Sequence, residues 1–187
     1  MEADMKTLII NGSPNKKGET AGMIKFVTDG LKGEYRLVNT YYANISPCND
    51  CRACRDRYGC SIVDDMAEIY DYISECDRII FASPLYFSQY TGSFLSFMSR
   101  MQMFCSQIYI RHKSIDIKPK RGLVLLNGGG STISTSGVEQ CTRILMREFN
   151  CSYYETVCYI GTDKKPVLED MDTLTKLKNG VEFLNGQ

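Results

Sequence analysis

Short apolar runs alternate with stretches of helical period from one end of the chain to the other. Residues 6–11, KTLIIN, read as a buried strand that runs into the turn-rich GSPNKKG. Residues 20–31 then place Met23, Ile24, Phe26, Val27 and Leu31 at helical spacing. Residues 35–39 predict a second strand. Beyond a cysteine-rich loop, Asp64-Asp65 opens a helix with Met66, Ile69, Ile73 and Cys76 on one face. An acidic pair suits that end, where the helix dipole is positive. RIIFA, residues 78–82, is a third strand, followed by SPLYFSQYTG and a helix from 93 to about 105. Residues 121–127 form a fourth strand leading into Gly128-Gly129-Gly130, with a helix over 136–149 after it. A fifth strand at 152–160 and a helix over 169–184 close the chain.

Strict alternation of strand and helix requires crossover connections, which give a parallel sheet with helices on both faces. With no linker, repeat or low-complexity tract, residues 1–187 read as one α/β domain. Such sheets bind ligands at the carboxyl ends of their strands, where the strand order switches. The most unusual loops follow the first, third and fourth strands, so all three gather at one edge.

Composition narrows the function. The 22 Lys and Arg balance 22 Asp and Glu, so the basic surplus of a nucleic-acid binder is missing. No apolar run approaches the roughly 20 residues that span a bilayer. The acidic start Met1-Glu-Ala-Asp is unlike a signal peptide, and a cytoplasmic location is expected. Nine cysteines is a high and odd number for a disulfide framework, so their spacing must say what they do.

The loop from Gly12 to Thr20 lies between a strand and a helix. Backbone N–H groups at a helix start make an anion site. Ser13, Asn15 and Thr20 offer donors, and Gly12 and Gly18 allow sharp turns. An ordinary connecting loop with Thr20 as helix cap accounts for the same residues. The glycines are too far apart for a dinucleotide fingerprint, and Glu19 stands where a nucleotide triphosphate loop needs lysine. NGSPNKKGET resembles the opening of the flavodoxin-like NADPH-dependent FMN reductases. That resemblance implies a doubly wound five-stranded parallel sheet of order 2-1-3-4-5. It also implies FMN as cofactor, with Ser13, Asn15, Gly18, Thr20 and Ala21 around the phosphate. Glu19 departs from the family pattern, and its carboxylate should point away from a phosphate.

Ser83-Pro84-Leu85-Tyr86-Phe87 resembles the segment that holds the isoalloxazine ring in these reductases, which makes Pro84, Leu85, Tyr86 and Phe87 flavin contacts. The alternative is that these apolar side chains fill space under the loop. Gly128, Gly129 and Gly130, in the loop 127–132 with Ser131 and Thr132, would let the backbone approach a flavin; a plain turn is the competing reading. The helix at 93–105 keeps Arg100 of the family's run but carries Ser96 and Ser99 in place of lysine and aspartate. Phe94, Leu95, Phe97, Met98, Met101, Met103 and Phe104 make it apolar on more than one face, which predicts a homodimer or higher homo-oligomer.

Cys48-x-x-Cys51-x-x-Cys54 followed by Cys60 has the spacing a [4Fe–4S] site needs, and it resembles the compact motif of iron–sulfur flavoproteins. Zinc, a disulfide and reduced thiols account for the same spacing. Cys76, Cys105, Cys141, Cys151 and Cys158 sit singly and read as small core residues. His112 lies in a basic stretch that reads as a solvated loop, or as a seat for an NADPH phosphate or acidic partner. The resemblance implies an oxidoreductase passing electrons from NAD(P)H through FMN to a small-molecule or protein acceptor. The alternative is an electron carrier with FMN, a [4Fe–4S] cluster and ferredoxin-like partners. A flavin-free binding module on the same fold is the third reading. No catalytic side chain is named, because the flavin carries the chemistry.

Overall fold

The computed structural model describes residues 5–130 and 133–186, so Met1-Glu-Ala-Asp and Ser131-Thr132 lie outside the described residues. Strands β1 (Lys6–Asn11), β2 (Glu34–Asn39), β3 (Arg78–Pro84), β4 (Arg121–Gly128) and β5 (Tyr153–Ile160) form one parallel sheet in the order β2-β1-β3-β4-β5. The helices are α1 (Glu19–Gly30), α2 (Ala53–Asp56), α3 (Met66–Glu75), α4 (Gly92–Ser99), α5 (Gln102–Cys105), α6 (Ser136–Glu148) and α7 (Met171–Asn185). This is the flavodoxin-like order that the sequence resemblance implied.

Side chains along a strand point alternately to the two faces, and both faces are dry. Ile9, Ile80, Leu123 and Leu125 therefore pack under α1 and α7 with Met23, Val27 and Leu177. Leu8, Ile10, Phe81, Val124 and Leu126 enter the opposite core with Phe94, Phe97, Phe104 and Phe149. Burial on both sides explains why these strands are continuous apolar runs in the sequence. Phe81 sits edge-on to Phe94 and Phe149, with centroids 5.5 and 5.4 Å away.

The helix expected from 93 to about 105 is broken. Arg100 N and Met101 N donate to Phe97 O and Met98 O at 3.0 Å each, a tightening of the turn at the point where Arg100 goes inward. Beyond α5 the coil widens into a π-turn over Ser106–Ile110, closed by Arg111 N donating to Ser106 O at 2.9 Å. These changes of pitch let one chain cover an apolar helix on several sides. Phe94, Phe97, Met98, Met101, Met103 and Phe104 are all buried, and Leu95 alone of the group is exposed. The apolar surface left open on this stretch is thus Leu95 and, beyond α5, Ile108, Tyr109 and Ile110. Among the described residues, no helix is long and apolar enough to cross a membrane.

Candidate functional site

The β1–α1 loop is shaped by its own short side chains. Ser13 N donates to Asn11 Oδ1 (2.9 Å), Asn15 N to Ser13 Oγ (3.2 Å) and Lys17 N to Asn15 Oδ1 (3.0 Å). Asn39 at the end of β2 donates to Ser13 O (3.0 Å), and the Tyr42 hydroxyl donates to Pro14 O. Gly12 is required by close approach: a Cβ there would lie 2.9 Å from Phe94 Cβ and 3.0 Å from Thr91 Oγ1. Gly18 is the N-cap of α1, and no side chain caps the helix. The first-turn N–H groups of an α-helix lack intrahelical partners, which is the donor set an anion needs. The phosphate of FMN fits that end of α1. Glu19 is turned away from it, as the charges require, with Oε2 accepting from Val167 N at 2.7 Å. Thr20 does not cap the helix; its Oγ1 accepts from Asn127 Nδ2 at 2.7 Å.

Asn127, at the end of β4, ties the three loops together. Its amide reaches Thr20 in the first loop, and its main-chain oxygen accepts from Leu85 N (2.8 Å) in the second. Thr91 adds another link, donating through Oγ1 to Gly12 O at 2.8 Å and accepting from Phe94 N as the cap of α4. In the second loop Pro84 is half-buried, Leu85 is buried and Tyr86 is half-exposed, while Phe87 is 102% exposed. Tyr86 and Gln89 exchange backbone hydrogen bonds (2.9 and 3.1 Å) around Phe87 and Ser88, whose φ angles are +52° and +62°. Two consecutive left-handed non-glycine residues are strained backbone, and strain of this kind collects at functional sites. Gln89 Oε1 is buried without a partner beside this turn, an acceptor free for a ligand donor.

The glycine loop divides. A Cβ on Gly128 would meet Ile133 Cδ1 at 2.5 Å, and one on Gly129 would collide with the Asp163 carboxylate. The chain uses both for its own packing, and Gly130 alone faces open space.

The cysteine loop leaves the same edge after β2 and runs along the helical stretch that follows β3. Cys48, Cys51, Cys54 and Cys60 all line one cavity of about 380 Å³, with Ser61, Cys105, Ser106 and Tyr109. Arg100, almost fully buried, closes the loop at its base. Its Nη1 donates to Ser46 O (2.8 Å) and Asp64 Oδ2 (2.5 Å), and its Nη2 to Asp64 Oδ1 (3.2 Å) and Ile62 O (3.4 Å). Burial alone would push the Asp64 carboxyl up. Arg100, with the N–H groups of Ser46 and Met66, outweighs it and holds the group below its ordinary value. Asp64 therefore serves the arginine as well as the start of α3, which the helix-dipole reading of the acidic pair did not include. Ser99 has a new task, accepting from Cys48 N at 2.9 Å.

Gln107 donates to Cys54 O (2.9 Å) and Arg57 O (3.3 Å), and the Cys54 thiol lies 3.2 Å from Ser106 Oγ. Cys51 Sγ is 2.9 Å from Ser61 Oγ, a hydrogen bond that draws this exposed thiol below its ordinary pKa. Asp50 and Arg52, on either side of it, have φ of +51° and +64°. Four thiols around one cavity are the right donors for iron–sulfur or zinc chemistry. Among the described residues no three metal-binding side chains converge on a point, so these donors share a cavity without forming a closed shell. Burial raises the Cys76 and Cys151 thiols to about 11 each and also raises Cys141 and Cys158, in keeping with core positions. Cys105 is different: burial first, then the Glu148 carboxylate 3.2 Å away, pushes it up to about 12. All nine cysteines are free, and His112 is exposed. The sequence reading missed Asn127, Gln107 and the Arg100–Asp64 pair. An arginine inside an otherwise apolar helix was the available signal for the last.

The chain is similar to known proteins both in sequence and in fold. The chain is 32% identical over 128 residues to an iron-sulfur flavoprotein of Methanosarcina thermophila, covering 67% of this chain and 64% of that protein. It is 28% identical over 114 residues to an iron-sulfur flavoprotein of Methanocaldococcus jannaschii, covering 58% of each. The chain thus spans less than two thirds of the length of these relatives. In fold it is similar to the NAD(P)H:quinone oxidoreductase from Methanothermobacter marburgensis, with a TM-score of 0.73 at 17% identity over 97% of this chain and 96% of that one. Residues 5–163 match the family model for NADPH-dependent FMN reductase, and the chain belongs to that family.

Proposed function

We propose that this chain is an FMN-dependent oxidoreductase that takes electrons from NAD(P)H and hands them to a small-molecule or protein acceptor. The observation that carries the reading is Asn127, which draws the loops after β1, β3 and β4 together at one edge of the sheet. Bound FMN would supply the exchange of electrons with a nicotinamide. The chain's part is to bind and orient. The uncapped first turn of α1, from Gly18 through Ala21, would hold the phosphate with Ser13 and Asn15. Pro84, Leu85, Tyr86 and Phe87 would cover the ring, with Gly130 leaving it room. Gly128 and Gly129 would keep their loop close to β5. None of these side chains need act as acid or base.

The exposure of Tyr86, Phe87 and Leu95 supports a second copy of the chain beside this edge. Nine free thiols support a reducing, cytoplasmic setting. A single sheet supports reading residues 1–187 as one domain. To test the function, the purified chain is titrated with FMN by fluorescence quenching, and NADPH or NADH is then added without oxygen. Tight binding followed by bleaching of the flavin is expected. A chain that ignores FMN overturns the proposal in favour of a flavin-free binding module.

The cavity that brings Cys48, Cys51, Cys54 and Cys60 together favours a second reading. In it the chain is an electron carrier with FMN and a [4Fe–4S] cluster, served by a ferredoxin-like partner. Its test is iron and acid-labile sulfide on protein purified without oxygen, with about four irons per chain expected. Protein that holds flavin but no iron overturns it.

A further inference from the structure

We propose that Ser61 and Ser106 are hydrogen-bond donors to the metal-bound thiolates of Cys51 and Cys54, and that they raise the reduction potential of the site. This inference rests on the iron–sulfur reading above. Two of the four motif sulfurs already have a hydroxyl beside them: Ser61 Oγ at 2.9 Å from Cys51 Sγ, and Ser106 Oγ at 3.2 Å from Cys54 Sγ. Among the described residues Cys48 and Cys60 have no such partner. A neutral thiol donates weakly, and in the structure Cys54 Sγ gives its proton to Ser106 Oγ. A thiolate bound to metal has no proton to give, so the hydroxyl must become the donor. A serine hydroxyl makes that change by turning about its C–O bond; Ser61 is already placed for either direction, and Ser106, whose present angle suits acceptance, needs a small shift of its side chain as well.

The framework holds Ser106 in place for this role. It is buried at the first position of the π-turn, and Gln107 beside it donates to the carbonyl of the same Cys54 at 2.9 Å. One cysteine is therefore gripped at its sulfur and at its backbone by consecutive residues. π-Turns of this kind are frequent at functional sites. Reduction places more negative charge on the ligand sulfurs, and donors aimed at those sulfurs stabilise the reduced form. The effect is larger where water is excluded. Ser106 should therefore act more strongly than the exposed Ser61.

The full chain is reconstituted anaerobically with iron and sulfide, iron is counted, and the midpoint potential is read by a redox titration monitored by electron paramagnetic resonance. S106A should keep its iron and shift to a more negative potential. S61A should shift less in the same direction, and S106T, which keeps a hydroxyl, should return towards the wild type. Retained iron with no shift in either alanine variant overturns the proposal; S61A alone decides it if S106A folds poorly. A wild type that takes up no iron removes the iron–sulfur reading, and cobalt(II) then tests the hydroxyls on their own. The thiolate-to-cobalt charge-transfer band should move to longer wavelength in S106A. An unchanged band, or no cobalt binding, overturns the role given to the serines.

Discussion

The loops at the carboxyl edge of the sheet and the cysteine loop are held by opposite means. At the edge, main chain meets main chain: Gly12 N donates to Ala82 O at 2.7 Å and Leu85 N to Asn127 O at 2.8 Å. These loops take their positions from strands that are already fixed. The cysteine loop has its backbone bonds inside itself, from Arg55 to Arg52 and from Arg57 to Ala53. It is attached by the side chains of Ser99, Arg100 and Gln107, which reach it from the helix that follows β3. A site on strand ends is positioned by the whole sheet, whereas this second site depends on a few polar atoms along the broken helical stretch between Ser99 and Gln107. Damage should therefore spread differently from the two.

The largest expected effect comes from that dependence. Arg100→Ala leaves the Asp64 carboxylate buried without its partner and should cost about 3–5 kcal/mol, read by urea denaturation. The same pair sets a pH dependence. Because Asp64 is held below its ordinary value in the folded protein, its contribution is full above the unfolded value, near 3.9. It is lost as pH falls through the lower folded value. Asp64→Asn should remove this part of the acid dependence below about pH 4, and an unchanged acid limb would break the comparison. Gly12→Val drives a side chain into Phe94 and Thr91 and should cost about 1–3 kcal/mol in thermal melts. FMN affinity should fall with it while the cysteine cavity is untouched. In the proposed site Ser13→Ala would lose a hydroxyl donor to the phosphate, and FMN binding should weaken about tenfold, by fluorescence titration. Arg52→Ala sharpens the contrast from the other side. Its ion pair with Asp50 is exposed at both ends, so stability should change by less than about 0.5 kcal/mol.

The edge was legible in the sequence because its information is local. A strand, a turn-rich loop and a helix start follow one another within residues 6–31, and apolar runs buried on both faces mark β1, β3 and β4 plainly. Glu19 could be placed by electrostatics alone, and it does bond to Val167 rather than face the loop. The cysteine loop was legible only as a spacing. What holds it lies just over 50 residues away, in Ser99, Arg100 and Gln107, and side-chain partners at that separation leave no periodicity to read. The break at Arg100 and the π-turn after it were hidden for a related reason. An unbroken apolar pattern predicts an unbroken helix, and the polar bonds that bend it come from another part of the chain. The glycines at 128 and 129 were visible, but the neighbours that require them, Ile133 and Asp163, were not.

Arg100 grips the chain at Ser46 on the way into the cysteine loop and at Ile62 on the way out. The residues between these two points form a cassette with fixed ends, tied inside by Ser99 and Gln107 and resting on the core through Cys54 and Cys60. For a flexible insert, doubling the length of such a closed segment costs only about 0.6 kcal/mol in chain entropy. An engineer could graft a different metal-binding loop between Ser46 and Ile62, provided it keeps those internal ties, and leave the edge site whole. A lineage drifting towards or away from metal could do the same by small steps, with the arginine unchanged.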